Sequence, residues 1–141
     1  MNRASSLNAS SKLALIAILV IGTFFIATRQ PGNEFNVRNV SVAEANSMVE
    51  AGALVVDVRE EDKFNHRHIP GALLLPVSAL RLGIPATFTY ARDKPILVYC
   101  GDGVTTGPEG TELLNKAGYA NAVNMEAGIK GWADAGLPVR K

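Results

Sequence analysis

Two regimes of hydrophobic patterning divide the chain. Residues 13–28 (LALIAILVIGTFFIAT) form an apolar run without a charge, whereas everything after Pro31 alternates apolar and polar positions in short blocks. In the second regime, residues 53–58 (ALVVDV) and 95–99 (PILVY) are almost continuously aliphatic or β-branched. Such runs suit strands buried on both faces, as in a parallel sheet. Residues 37–40, 72–75 and 121–124 predict three further short strands. Helical signals fall between them. Ser41 and Glu44 have the spacing of a capping box, in which the serine oxygen takes the N3 amide and the glutamate returns to the cap amide. The helix that follows turns Met48 and Val49 inward and stops at Gly52, a natural residue for a left-handed C-terminal cap.

Residues 60–65 read as a polar helical turn, and residues 78–82 as another. The segment 83–93 (GIPATFTYARD) reads as loop. A helix from Gly107 to Ala117 opens on a second box, Thr106 with Glu109, carries Pro108 in its first turn, and stops at Gly118. A last helix spans 128–135. Strands that alternate with helices imply an open, doubly wound α/β fold. The expected sheet is parallel, of about five strands, with helices on both faces. The domain runs over residues 37–141, and residues 30–36 (QPGNEFN) form a polar linker in which Pro31-Gly32 ends any helix.

Charge changes the picture of the two ends. Arg3, Lys12 and Arg29 make the leader basic, while residues 30–141 hold eleven Lys and Arg against thirteen Asp and Glu, a net of −2. A mildly acidic domain without a basic stripe excludes nucleic acid as the expected partner. Residues 1–29 have the outline of a signal anchor. Sixteen residues at about 1.5 Å rise span roughly 24 Å, workable for a hydrocarbon core of about 30 Å with local thinning. A cleavable signal peptide needs small residues one and three places before the cut. Ala27 is preceded by Phe25, Thr28 by Ile26 and Gly22 by Val20. The pattern therefore favours an uncleaved membrane anchor over cleavage to a secreted or periplasmic soluble protein. Arg3 and Lys12 would stay cytoplasmic, placing the domain in a bacterial periplasm.

The single cysteine, Cys100, rules out an internal disulfide and any multi-cysteine metal site. Alone, such a residue reads as a small buried hydrophobe. Its context points elsewhere. Cys100 ends a buried strand, where open α/β sheets place their reactive crevice. The loop Gly101-Asp102-Gly103-Val104-Thr105-Thr106-Gly107 follows, with three glycines in seven residues. Glycines let such a loop turn its amides inward as a nest for negative charge, and the next helix adds its own free N–H groups. A thiol held there is expected to ionise below the free value of about 8.5, giving a nucleophilic thiolate.

With these residues in place, the chain resembles the rhodanese superfamily of sulfurtransferases. The resemblance rests on 54–60 (LVVDVRE), on Phe64 followed by 68–72 (HIPGA), on 94–105 (KPILVYCGDGVT), and on the tail from Asn121 through 128–132 (GIKGW) to 135–139 (AGLPV). It implies a two-step reaction with Cys100 as catalytic residue. Cys100 takes sulfane sulfur from a donor such as thiosulfate or a persulfide, then passes it to a thiol, cyanide or protein acceptor. The resemblance implies no cofactor and no metal. Gly101, Asp102, Gly103, Val104, Thr105 and Thr106 would form the substrate cradle, with Asp57 and Arg59 in support as an ion pair or through loop hydrogen bonds. A non-catalytic rhodanese-like module, for partner binding or redox sensing, is the alternative.

Phosphatases on this fold use Cys-x5-Arg, but the sixth residue after Cys100 is Thr106 and the loop contains no Arg. Thiosulfate-preferring relatives often place basic residues just after the cysteine, where this chain has Gly101 and Asp102. A unit charge about 4 Å from a substrate charge is worth roughly 1 kcal/mol in water and about 4 at an effective dielectric of 20. An inward Asp102 is therefore expected to weaken thiosulfate binding, with Lys63 as a partial offset. Arg67 and Ala127 stand where the family commonly has glycine. His66 reads as solvated, His68 as a turn residue, and Trp132 as core. Two histidines without cysteine or clustered carboxylate partners do not make a metal site.

Overall fold

The computed structural model describes residues 34–141. The expected leader, with its apolar run, and the start of the linker lie outside the described residues. Among the described residues no helix is long and apolar enough to cross a membrane.

Five strands, β1 (Asn39–Val40), β2 (Leu54–Asp57), β3 (Leu73–Leu74), β4 (Ile96–Tyr99) and β5 (Ala122–Met125), form one sheet in the order β1-β5-β4-β2-β3. Every pairing is parallel. The helices are α1 (Val42–Glu50), α2 (Glu61–His66), α3 (Val77–Leu80), α4 (Thr106–Lys116) and α5 (Gly128–Asp134). This is the expected open α/β arrangement, with β4 at its centre.

All four residues of β4 are buried, as its unbroken apolar run requires. Side chains alternate across a strand, so Ile96 and Val98 face one layer and Leu97 and Tyr99 the other. The first layer packs with Val77, Leu80 and Leu114 from α3 and α4, and includes Cys100. The second packs with Ala45, Ile129 and Trp132 from α1 and α5. Trp132 is core, and its indole N–H donates to the Pro138 carbonyl at 2.8 Å.

Three local expectations need correction. Ser41 Oγ does accept the Glu44 N–H at 3.2 Å, but the Glu44 carboxylate turns to the Arg38 guanidinium. A charged donor outbids the neutral cap amide. The second box does not form: Thr105 is the cap residue of α4, and its side chain makes no capping hydrogen bond to the helix. Glu109 pairs instead with Arg81 of the α3 C-terminus, at 2.6 and 2.8 Å. Finally, the segment expected as loop contains a 3-10 helix, Ala86–Ala91. Phe88 and Ala91, three residues apart, are both buried there. That spacing puts side chains directly above one another in a 3-10 helix, so one short turn seats two apolar groups in the core.

Candidate active site

Cys100 is the first residue after β4, and the loop beyond it leads straight into α4. The first turn of α5 holds the loop backbone from outside. The Ile129 N–H donates to the Cys100 carbonyl at 2.9 Å and the Lys130 N–H to the Gly101 carbonyl at 3.1 Å. With those carbonyls drawn outward, the chain curls back over the sulfur. Gly103 makes the turn with φ at +81°, and a side chain there would overlap the backbone of Met125 and Glu126. Its N–H donates to Cys100 Sγ at 3.2 Å.

The expected ring of amides around the sulfur is otherwise absent. The N–H groups of Val104 and Thr105 donate to Asp102 Oδ1, at 3.0 and 3.2 Å, and the Thr105 hydroxyl joins them at 3.1 Å. Asp102 thus sits in the nest that the loop was expected to offer Cys100. An anionic carboxylate two residues away competes better for converging N–H donors than a sulfur does. Oδ1 also lies 3.4 Å from Sγ, as acceptor for the thiol. Burial opposes the Asp102 charge, but the Val104 amide, the Thr105 hydroxyl, the Cys100 thiol and the Thr105 amide together hold its pKa below the usual value. Thr105 Oγ1 stands 3.8 Å from Sγ. Cys100 has no exposed surface.

One residue of this corner escaped the sequence reading as a candidate. Asn124, on β5 and fully buried, donates through Nδ2 to the Gly103 carbonyl at 2.8 Å and to Asn39 Oδ1 at 2.9 Å. Both partners are acceptors, which fixes the amide orientation and leaves its Oδ1 without a partner. Gly107 lies beside it. A Cβ at Gly107 would overlap Asn124 Oδ1 and press on Cys100 Sγ at 3.1 Å, so the missing side chain lets these two atoms share one corner. The signal available in the sequence was a polar residue inside an otherwise apolar strand.

The remaining candidates divide. A cleft of about 350 Å³ opens beside the loop, lined by Arg59, Glu60, Asp62 and Lys63 on one side and by Gly101, Thr105 and Thr106 on the other. Val104 is exposed at the loop tip. Lys63 is exposed and pairs with Asp62 at 3.5 Å, which weakens its expected role as an offset to Asp102. Thr106 reaches the cleft but makes no contact with the sulfur within hydrogen-bond range. Asp57 is fully buried and takes the Arg59 guanidinium through both oxygens, at 2.9 and 2.6 Å, as well as the Arg59 N–H at 3.0 Å. Arg59 also donates to the Arg67 carbonyl at 2.6 Å and lies over the Tyr99 ring. Burial alone would lower the Arg59 pKa, yet Asp57 outweighs it and keeps the guanidinium charged.

Tyr99 is a fixture of the same wall. Burial pushes its phenol far above the ordinary value, and its oxygen accepts the Ile69 N–H at 3.1 Å. His68 stacks on Phe64 at 4.1 Å between ring centres, and its Nδ1 lies 3.0 Å from the Phe64 carbonyl. His66 is exposed. Among the described residues no group of three or more His, Cys, Asp or Glu is disposed to hold a metal.

This geometry has known counterparts. The family model of the rhodanese-like domain matches residues 41–135. The uncharacterized protein YibN of Escherichia coli K12 is 30% identical over 128 residues, covering 90% of this chain and 85% of its own. The thiosulfate sulfurtransferase GlpE of Haemophilus influenzae is 34% identical over 103 residues, covering 72% of this chain and 93% of its own. Among solved structures, a rhodanese-related protein from Thermoplasma volcanium superimposes with a TM-score of 0.63 at 30% identity, over 73% of this chain and 97% of its own. The human single-domain sulfurtransferase TSTD1 does so with a TM-score of 0.61 at 28% identity, over 70% of this chain and 97% of its own. A loop that closes over one cysteine at the end of a central parallel strand is, in this chain, the work of a rhodanese-like domain, and the chain belongs to that family.

Proposed function

We propose that the protein is a sulfurtransferase in which Cys100 carries the travelling sulfur atom. The thiolate attacks the outer sulfur of a sulfane donor, an Sγ–S bond forms, and the donor leaves with the electron pair of its broken S–S bond. An acceptor thiolate or cyanide then attacks the outer sulfur of the persulfide and returns Cys100. The observation that carries this reading is the Gly103 N–H aimed at Sγ from 3.2 Å, inside a rhodanese-like loop at the end of the central strand. That amide supports negative charge on sulfur, before and after transfer. The kinship with GlpE and TSTD1 supports the same class of chemistry.

The test is intact-mass analysis of the full-length protein after incubation with a panel of sulfane donors. One added sulfur atom on Cys100, absent from Cys100→Ser, is the expected result. No addition from any donor would remove the enzymatic reading. A second reading, a non-catalytic partner-binding or redox-sensing module, draws on the complete burial of Cys100. It prevails if no donor loads the protein while Cys100→Ser keeps full cellular function.

The charge-free run 13–28 behind Arg3 and Lys12 supports a membrane tether with the domain on the periplasmic side. Full-length protein should stay with membranes through an alkaline carbonate wash, and deletion of 13–28 should release it. Release of the intact chain by the wash would overturn the tether.

A further inference from the structure

The corner around Cys100 Sγ is rich in hydrogen-bond acceptors, and few donors reach the sulfur. Asp102 Oδ1 lies 3.4 Å from the sulfur. Asn124 Oδ1, buried and without a partner, faces the same corner across the bare Gly107. On the donor side, the Gly103 N–H alone among the loop amides reaches Sγ. The Val104 and Thr105 amides and the Thr105 hydroxyl are committed to Asp102. Of the two cations lining the cleft, Arg59 is committed to Asp57 and the Arg67 carbonyl, while Lys63 is exposed, with Asp62 3.5 Å from its ammonium. A sulfonate needs several donors or a free cation for its oxygens. A sulfur that carries a proton needs an acceptor, and here two are available.

Resting on the sulfurtransferase reading above, we infer that the sulfur donor is a hydropersulfide, R–S–S–H, and that Asp102 is the residue that selects it over thiosulfate. The exchange is Cys100–SH + R–S–S–H → Cys100–S–S–H + R–SH. The Sγ–S bond forms as the R–S–S bond breaks. The electron pair of the broken bond leaves on the R–S sulfur, which takes up the proton that Cys100 gives up. Charge is conserved without an added cation, and no oxidant or reductant is required. The outer S–H of the product can donate to Asn124 Oδ1 or Asp102 Oδ1, which gives the unpaired acceptor a partner. Thiosulfate would bring a dianion, and release sulfite as another, beside a carboxylate that already occupies the seat for negative charge.

The test compares second-order rates of Cys100 sulfur loading by thiosulfate and by an uncharged alkyl hydropersulfide, in full-length wild type and Asp102→Asn. The asparagine keeps an oxygen for the loop amides and removes the charge. The thiosulfate-to-hydropersulfide ratio should rise about tenfold or more in Asp102→Asn at low ionic strength, and the rise should shrink as salt is added. Should that variant not fold, Asp102→Ser gives the same ratio. A ratio that moves less than about threefold in the folded variant overturns Asp102 as the selector, and leaves the sulfurtransferase reading standing. Loading of wild type by neither donor overturns both.

Discussion

The side-chain amide of Asn124 donates to the carbonyl oxygen of Gly103 at 2.8 Å, joining the middle of β5 to the crown of the Cys100 loop across 21 residues of sequence. The Gly103 peptide is thereby anchored on its carbonyl side while its N–H points at Sγ. Leaving that carbonyl buried and unpaired costs about 1–3 kcal/mol. Asn124→Ala should therefore lower stability to urea by that order. It should also slow sulfur loading of Cys100 at denaturant-free conditions, where the variant is still folded, because the Gly103 amide loses its aim. Loading at the wild-type rate in a destabilised Asn124→Ala would reduce Asn124 to a packing residue.

Gly101 lies in the loop and Gly107 in the first turn of α4, and their surroundings differ. A Cβ at Gly101 meets nothing within 4 Å, whereas one at Gly107 overlaps Asn124 Oδ1 and presses on Sγ. Overpacking of a tight corner costs about 1–3 kcal/mol. Gly107→Ala should show that loss in urea melts together with a large fall in loading, while Gly101→Ala should keep the wild-type melting profile. Equal stability of the two variants would contradict the shared corner.

The Asp57–Arg59 pair predicts an asymmetry. Asp57 is fully buried, while the Arg59 side chain keeps 12% of its surface. Removing one partner of a buried pair costs about 3–5 kcal/mol when the other charge is left unpaired. Arg59→Met strands the buried carboxylate and should approach that loss. Asp57→Asn leaves an acceptor for the Arg59 N–H, and leaves the guanidinium the Arg67 carbonyl and some solvent, so it should lose less. Chemical denaturation of both variants checks the order, and the reverse order would count against the assignment.

Asp102 predicts a pH window. Its native pKa is held below the unfolded value of about 3.9. A carboxylate depressed in this way adds stability that is complete above the unfolded value and fades as pH falls through the native one. The stability gap between wild type and Asp102→Asn should be flat from about pH 8 to 5 and close only below about pH 3.9. A gap that already closes near neutrality would assign it to another group.

Much of the fold is legible in the residues. The aliphatic runs of β2 and β4 suit strands buried on both faces, as in a parallel sheet, and the strand–glycine–helix junction marks Cys100 from the residues alone. Periodicity and turn chemistry are local, so they survive in one dimension. The 3-10 helix at Ala86–Ala91 was not legible, because its two buried residues acquire meaning only from the core beneath them. The lost cap of α4 is similar. Glu109 meets Arg81, 28 residues away, and spacing within a helix says nothing of that rival.

The sequence by itself determined where the candidate nucleophile stands, since a buried strand that runs into a glycine loop leaves its last residue at the carboxyl edge of the sheet. Only the tertiary structure decided what surrounds the sulfur. Hydrogen bonds go to the strongest acceptor within reach, and the nearest in space was the carboxylate of Asp102 rather than the sulfur of Cys100. The matching unpaired oxygen arrived on β5, brought in by sheet order rather than by any neighbour in the chain.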